Sequence, residues 1–309
     1  MPVKHSYKKV IEKNNYKIIH CKTCGYWHVY PMPTEEELRA YYENKYYLTL
    51  GNNHTMSDKS NDPDGFYAIQ YEDRLRSIMK FISPSLPASV LDVGAGYGDF
   101  LRFMAEKGWK TQGVEPSKQA YELIHDREAL GIKHGSIDNP ASLNFTPASV
   151  ITFNNVLEHL REPGKILKLV QDKFLISGGI IVVIIPNDFN VLQDILMKTV
   201  LKNNIEKHYY WISPPDHLNY WSVKMFKKFA GDCGFKILHC ITDFPMELFP
   251  LMGEDYITHP EVGRNAHLKR VNLEKHFYQT QSHLAKDLLF KSFAQNGIGR
   301  DMQFIITPR

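Results

Sequence analysis

Cysteine is scarce in this chain. Its 309 residues include four, Cys21, Cys24, Cys233 and Cys240, too few for a disulfide scaffold at this length. Long apolar runs are missing as well. The longest, 180–185, is the length of a strand, far short of the roughly 20 residues that span a bilayer. Neither sign of charge dominates: 37 Lys and Arg stand against 34 Asp and Glu, a net charge of +3. No basic block stands out as a track for nucleic-acid phosphates. The first five residues lack the apolar core of a secretory signal, which makes the cytoplasm the expected location. No G-x-x-x-x-G-K-[ST] loop occurs, so a nucleoside triphosphate is not the expected ligand. What is present is 43% hydrophobic residues, enough for a substantial core.

The most informative stretch is Val90-Leu91-Asp92-Val93-Gly94-Ala95-Gly96-Tyr97-Gly98-Asp99-Phe100-Leu101. An apolar run, a glycine-rich turn and a helical pattern follow in that order. This describes a buried strand delivering a loop whose backbone comes close to a ligand. Glu115 ends the next apolar run, at the distance where an acid meets a ribose diol. Dinucleotide sites use G-x-G-x-x-G, whose helix start meets a pyrophosphate. Here the glycines are Gly94, Gly96 and Gly98, and Asp99 follows. A carboxylate at the helix start repels phosphate. S-adenosylmethionine, with a ribose diol, an amino-acid tail and no phosphate, fits better.

From residue 89 onward strand-like and helix-like blocks alternate, the pattern of a parallel sheet covered on both faces. Strands are expected at 89–93, 110–114, 132–134, 150–153, 180–185, 236–242 and 302–306. Ser117 is expected to cap a helix over 118–127, Pro163 to open one running to about 175, and Ser222 to cap 223–232, with Gly234 just past its end. Residues 187–220 and 243–299 are too long for plain connections. They read as insertions, the second helical, that shape a pocket or a homodimer contact. The reading divides the chain into an arm over 1–50, a loop and helix over 51–88 with a candidate lid at 51–65, and a cofactor domain over 89–309.

The segment 90–101 together with Glu115 resembles the first two motifs of class I S-adenosylmethionine-dependent methyltransferases. The resemblance implies an α/β fold, a Rossmann-like doubly wound seven-stranded sheet with its last strand antiparallel. It assigns cofactor contacts to Asp92, Gly94, Ala95, Gly96, Glu115 and Pro116. It lays the turn at 134–138 against the adenine, with Ile137 on one face and Ser136 near the amino group, and sets Asn154 and Asn155 beside the methionine part. Tyr67, Tyr71 and Arg74 come within reach of the cofactor carboxylate, although a solvated helix-face charge is the simpler reading of Arg74.

Phe153-Asn154-Asn155-Val156-Leu157-Glu158-His159-Leu160 resembles the VxEH block of ubiquinone-biosynthesis O-methyltransferases, deoxysugar C-methyltransferases and small-RNA 2′-O-methyltransferases. That resemblance puts His159 at the mouth of the methyl-transfer site, with Glu158 beside it. Residues 214–222 resemble the family segment in which a histidine and an aromatic face the pocket, so that His217 converges on His159. The plainer alternative has His217 capping a loop and Trp221 in the core. Convergence allows two mechanisms. His159 acts as general base, or Glu158, His159 and His217 hold a divalent metal. The small-RNA enzymes have a carboxylate where this chain has Asn155, which disfavours the metal.

In the arm, Cys21-Lys22-Thr23-Cys24-Gly25 is a zinc-knuckle half site. With the residues up to Tyr42 it resembles the second half of the zinc arm of deoxysugar C-methyltransferases, whose first cysteine pair is absent here. His5, His20 and His28 have no convincing spacing as replacements, so a degenerate knuckle packed as a β-hairpin is expected. Cys21 and Cys24 remain the candidate metal ligands. The expected activity is methyl transfer to a small-molecule acceptor in a biosynthetic or tailoring pathway, to oxygen first and to carbon or nitrogen otherwise, without membrane or nucleic-acid partners. A metal-assisted RNA 2′-O-methyltransferase and a catalytically silent cofactor-binding scaffold are the alternatives.

Overall fold

The computed structural model describes residues 5–41, 65–140 and 143–309. Nearly all of the candidate lid, 51–64, and the arm tyrosines 42, 46 and 47 lie outside the described residues. The arm is a meander of β1 (Tyr7–Lys13), β2 (Tyr16–Cys21) and β3 (Trp27–Val29), followed by helix α1 (Glu35–Tyr41). Asn14 and Asn15 both take positive φ, 52° and 64°. That matches the tight hairpin turn, whose central residues favour asparagine.

Helix α2 (Phe66–Phe81) leads into the main sheet: β4 (Ser89–Val93), α3 (Asp99–Glu106), β5 (Lys110–Glu115), α4 (Lys118–Leu123), β6 (Ile132–His134) and β7 (Ala148–Asn154). It continues through α5 (Pro163–Phe174), β8 (Leu175–Pro186), α6 (Val191–Lys198), β9 (Asn219–Tyr220), α7 (Val223–Asp232) and β10 (Phe235–Thr242). Helices α8 (Leu248–Leu251), α9 (Gly263–Gln279) and α10 (His283–Gln295) precede the last strand, β11 (Asp301–Pro308). The main sheet runs β10-β11-β8-β7-β4-β5-β6. Its pairs from β8 to β6 are parallel, and β11 inserts antiparallel to both neighbours. All seven expected strands are present.

Parallel strands covered on both faces should be largely apolar, as Ile180–Ile185 of β8 is; β4 is fully buried and departs from the rule at Ser89 and Asp92. Alternate residues divide between two cores. Leu91, Val93, Ile151, Phe153, Ile181 and Val183 pack with Ile166 and Val170 of α5 and Phe226 and Phe229 of α7. Val90, Val150, Ile180 and Val182 face Ile78 of α2 and Phe100, Leu101 and Met104 of α3. Each such side chain, fully buried, contributes about 1.5–3 kcal/mol.

The helix after Ser117 is shorter than the pattern suggests. Ser117 caps it, accepting from Ala120 N, but it ends at Leu123 rather than 127. Ile124 turns extended to join Leu130 and Ile132 in the second core. Asp126 then accepts both nitrogens of the Arg102 fork, at 2.8 and 2.7 Å. Burial and a forked ion pair outweigh the few tenths of a kcal/mol that helix propensity offers per residue. Ser222 caps α7 as expected, accepting from Met225 N. The insertion at 187–220 holds α6, opened by an Asn190–Gln193 capping box, and ends in β9. That short strand pairs with β3, so the arm's sheet runs β1-β2-β3-β9. The insertion at 243–299 is helical, with α9 along α2 and α10 along β10. Among the described residues no helix is long and apolar enough to cross a membrane.

Candidate active site

The loops after β4, β5, β6 and β7 emerge at one edge of the sheet, where the strand order reverses at β4: the chain runs outward through β5 and β6 on one side and returns to β7 on the other. In doubly wound folds this crevice holds the ligand. The amides of Gly94 and Ala95 both donate to Val114 O, at 2.9 and 3.0 Å. This ties the glycine loop to the end of β5. Gly94 has φ +76°, and a Cβ there would lie 2.5 Å from Val156 Cγ2, so only glycine fits. Gly96 has φ +56° with nothing within 4 Å of a built Cβ, so the space beside it is open.

Glu115 is buried at the end of β5. Its two oxygens accept from Gly96 N at 2.8 Å and Ser117 N at 2.7 Å. Burial pushes the carboxyl up to about 7 against the pull of the Ser117 and Gly96 amides. Asp92, on β4, is buried too, and accepts from Thr152 Oγ1 and, at 2.9 Å, from Asn154 Nδ2. Burial raises it to about 7, opposed by the Thr152 bond and the Arg74 charge. Arg74 is the main correction to the sequence reading. It is not a solvated charge: it is 8% exposed, donates to Asn154 Oδ1 at 2.8 Å and lies over the Phe100 ring at 4.9 Å. The pattern of α2 disguised it, because an arginine in the charged run from Glu72 to Arg76 reads as a surface position. Its Nε is buried without a partner. The line Arg74–Asn154–Asp92 thus crosses the ends of β4 and β7.

Asn155 takes φ +55°, a left-handed conformation that asparagine tolerates, and its amide donates to Ile184 O at 2.9 Å. This ends β7 and starts the 3₁₀ turn Leu157–His159. Ser136 accepts from the Asp138 amide at 3.3 Å. Ile137 packs with Val114, Leu143 and Phe145. Pro116 O lies 3.2 Å from His134 Nε2.

His159 and His217 converge, with ring centroids 4.9 Å apart at 84°. Trp221 is meanwhile core, at 1% exposure, so one part of each reading holds: the histidines meet, while the aromatic at 221 packs inside. The segment before β9 docks on the 157–159 turn. Leu218 N donates to Glu158 O at 2.7 Å, and Asn219 Nδ2 donates to Leu160 O at 2.6 Å. His159 Nδ1 meets Asp216 twice, the backbone oxygen at 2.7 Å and Oδ1 at 3.2 Å. Nδ1 therefore carries the proton, and Nε2 lies 3.9 Å from Glu158 Oε1. Burial alone would lower His159, but the Asp216 bond and the charges of Glu158 and Asp216 bring it up to about 9. The same pairing holds Asp216 below the usual carboxylate range despite its burial. His217 goes the other way: burial, then the His159 charge, lower it to about 4. Glu158 is 1% exposed, burial lifts it to about 7, and neither carboxylate oxygen has a hydrogen-bond partner. Asp216 and the buried Asp188, raised by burial and by Glu158, were not singled out from the sequence. Asp216 alone had a signal, its place next to His217.

Comparison with known proteins agrees with this geometry. The model of a family described as "Methyltransferase domain" matches residues 67–240, more than half of the chain. No curated protein matches the sequence. Among solved structures, the plantazolicin methyltransferase BpumL in complex with SAH is similar at 14% identity and TM-score 0.50, over 88% of this chain and 93% of that one. A SAM-dependent methyltransferase from Archaeoglobus fulgidus is similar at 17% identity and TM-score 0.48, over 82% and 99%. The glycine loop, the acid at the end of β5, the antiparallel last strand and the family match have one reading: this chain belongs to the methyltransferase-domain family and is a class I S-adenosylmethionine-dependent methyltransferase.

Proposed function

We propose that the chain transfers the methyl group to a hydroxyl of a small-molecule acceptor in a biosynthetic or tailoring pathway, with His159 as general base. The observation that carries this reading is the Asp216–His159 pair beside His217 at the edge where the cofactor belongs. The acceptor oxygen attacks the methyl carbon in line. The carbon–sulfur pair returns to sulfur, and the hydroxyl proton passes to His159 Nε2. Asp216 holds the Nδ1 proton and stabilises the imidazolium that forms, the role of the orienting acid in a catalytic triad. Sulfonium charge is lost on transfer, so a dry pocket favours the step. The lack of a basic stripe supports a small acceptor over RNA, and the 243–299 insertion near this edge supplies material for its pocket.

On the cofactor side, Glu115 holds the ribose diol, and Arg74 takes the amino-acid carboxylate, which would satisfy its unpartnered Nε. Asp92, Asn154 and Asn155 line the methionine part, Gly94 to Gly96 and Pro116 approach the ribose, and Ser136 and Ile137 frame the adenine. A second reading has one specific observation behind it. Glu158, His159 and His217 offer ligand atoms within 4.8 Å of one another, and Glu158 lacks other partners. A divalent ion there would polarise the acceptor oxygen and take the place of the His159 proton. Release of S-adenosylhomocysteine across a hydroxylated-acceptor panel tests the main reading. Turnover that is indifferent to added magnesium or manganese and fails in His159→Ala supports the base; turnover that depends on either added ion supports the second reading.

A further inference from the structure

We propose that His5, Cys21, Cys24 and His28 bind one structural zinc ion, so that two histidines close the knuckle whose first cysteine pair is missing. The sequence spacing argued against these histidines. The fold overrides that objection, because β1 pairs with β2 (Tyr7 opposite Cys21) and carries His5 back over the Cys21–Cys24 turn. His5 Nδ1 lies 3.3 Å from Cys21 Sγ and 3.5 Å from Cys24 Sγ. Zinc bonds of about 2.3 Å to sulfur and 2.05 Å to nitrogen in a tetrahedron put N and S about 3.6 Å apart. All four ligand atoms lie within 4.8 Å of one another, so side-chain rotations of about 1 Å complete the tetrahedron.

The surroundings are those of a ligand set. His28 Nδ1 is engaged by Val29 O at 2.8 Å, which leaves Nε2 as the lone-pair nitrogen; that atom is buried with no partner. A backbone carbonyl fixing the tautomer of a ligating histidine is the usual outer shell of a zinc site. The Cys24 amide donates to Cys21 Sγ at 3.3 Å, and Gly25, at φ +81°, donates to Cys21 O at 3.0 Å. This tight turn points both sulfurs one way, and both cysteines are free of disulfides. His20 is not part of the set; it stacks on Trp27 with centroids 4.9 Å apart. Two thiolates and two imidazoles, closed and with no open position, select zinc over harder ions.

The site connects to the catalytic turn. His28 is paired with Asn219 across β3 and β9. Val29 N donates to Leu218 O at 2.9 Å, and Leu218 N donates to Glu158 O. The ion therefore acts as a positioning device for the 157–159 turn, a consequence that rests on the function proposed above, whereas the metal site itself does not.

Metal analysis of the full chain, purified after growth with zinc, tests the site directly. One zinc per chain is expected, with Cys233→Ser and Cys240→Ser unchanged and His5→Ala and His28→Ala each lowering the content. Cobalt substituted into the wild type should give tetrahedral absorption with a thiolate charge-transfer band, a readout that needs no variant and no activity. Chelation should then reduce kcat while leaving cofactor affinity in place, since the loops of β4 and β5 lie outside the arm. Protein purified after growth with zinc that has free thiols and no bound metal, a Cys21–Cys24 disulfide in the protein as isolated, or full metal content in both histidine variants would overturn the site. Unchanged kcat in metal-free protein would overturn the coupling alone.

Discussion

The roles proposed for Glu115 and His159 differ in kind, and single substitutions separate them. Glu115 sits under the glycine loop with both oxygens on backbone amides. Glu115→Ala should weaken S-adenosylhomocysteine binding at least tenfold, about 1.4 kcal/mol, the scale of a charged hydrogen bond, while the far-ultraviolet dichroism stays that of the wild type. His159→Ala should keep cofactor affinity and lower turnover by about 100-fold or more. The pH profile sharpens the second case. With His159 at about 9, about 1% is free base at pH 7, so the rate should climb roughly tenfold per pH unit and level off near pH 9. Stability has the opposite sense. The folded value lies above the unfolded one, so the stabilisation is complete below about pH 6.5 and lost as pH rises through about 9. Glu158→Gln removes a charge that raises His159, and should move the rising limb to lower pH; an unmoved limb would detach His159 from the profile. At this scale the acid of β5 was legible, because spacing alone places it. Arg74 and Asp216 were not, because their roles depend on partners 80 and 57 residues away.

The element that sets the site is the turn between β4 and α3, and its glycines should fail in different ways. Gly94→Ala combines a left-handed backbone, costing roughly 1–2 kcal/mol, with a Cβ 2.5 Å from Val156 Cγ2. It should lower the denaturation midpoint, and adding Val156→Ala should restore part of the loss but not the backbone share. Gly96→Ala meets nothing. It should cost about 1 kcal/mol of stability, with its main effect on cofactor binding; equal affinity in Gly96→Ala would move the ligand away from this loop. Strands were the most legible elements, since a run such as Ile180–Ile185 is buried on both faces and has no other use. The end of α4 was not legible, because the burial of Ile124 and the Arg102–Asp126 fork are tertiary facts. Nor was β9, two residues long, whose reason to exist is the edge of β3.

At the scale of the whole molecule, the arm and the cofactor sheet meet through β9 and through Tyr26, whose ring lies 5.0 Å from Trp221 and 5.4 Å from Phe229. The boundary expected near residue 50 lies outside the described residues, and the return of 219–220 to the arm was not legible, since a long-range pairing leaves no local mark. This junction docks the segment carrying His217 on the turn of Glu158 and His159, while the proposed ribose and methionine contacts stay with β4, β5 and β7. On the proposed function, the methyl donor and the proton acceptor are held by separate parts of the fold. The central claim is that the crevice over β4 and β5 holds S-adenosylmethionine. Calorimetric titration of S-adenosylmethionine and S-adenosylhomocysteine into the wild type and Glu115→Ala tests it most directly. The expected result is one molecule of either ligand per wild-type chain and a clear loss of affinity in the variant. No heat of binding in the wild type, or equal affinity in the two proteins, would contradict it.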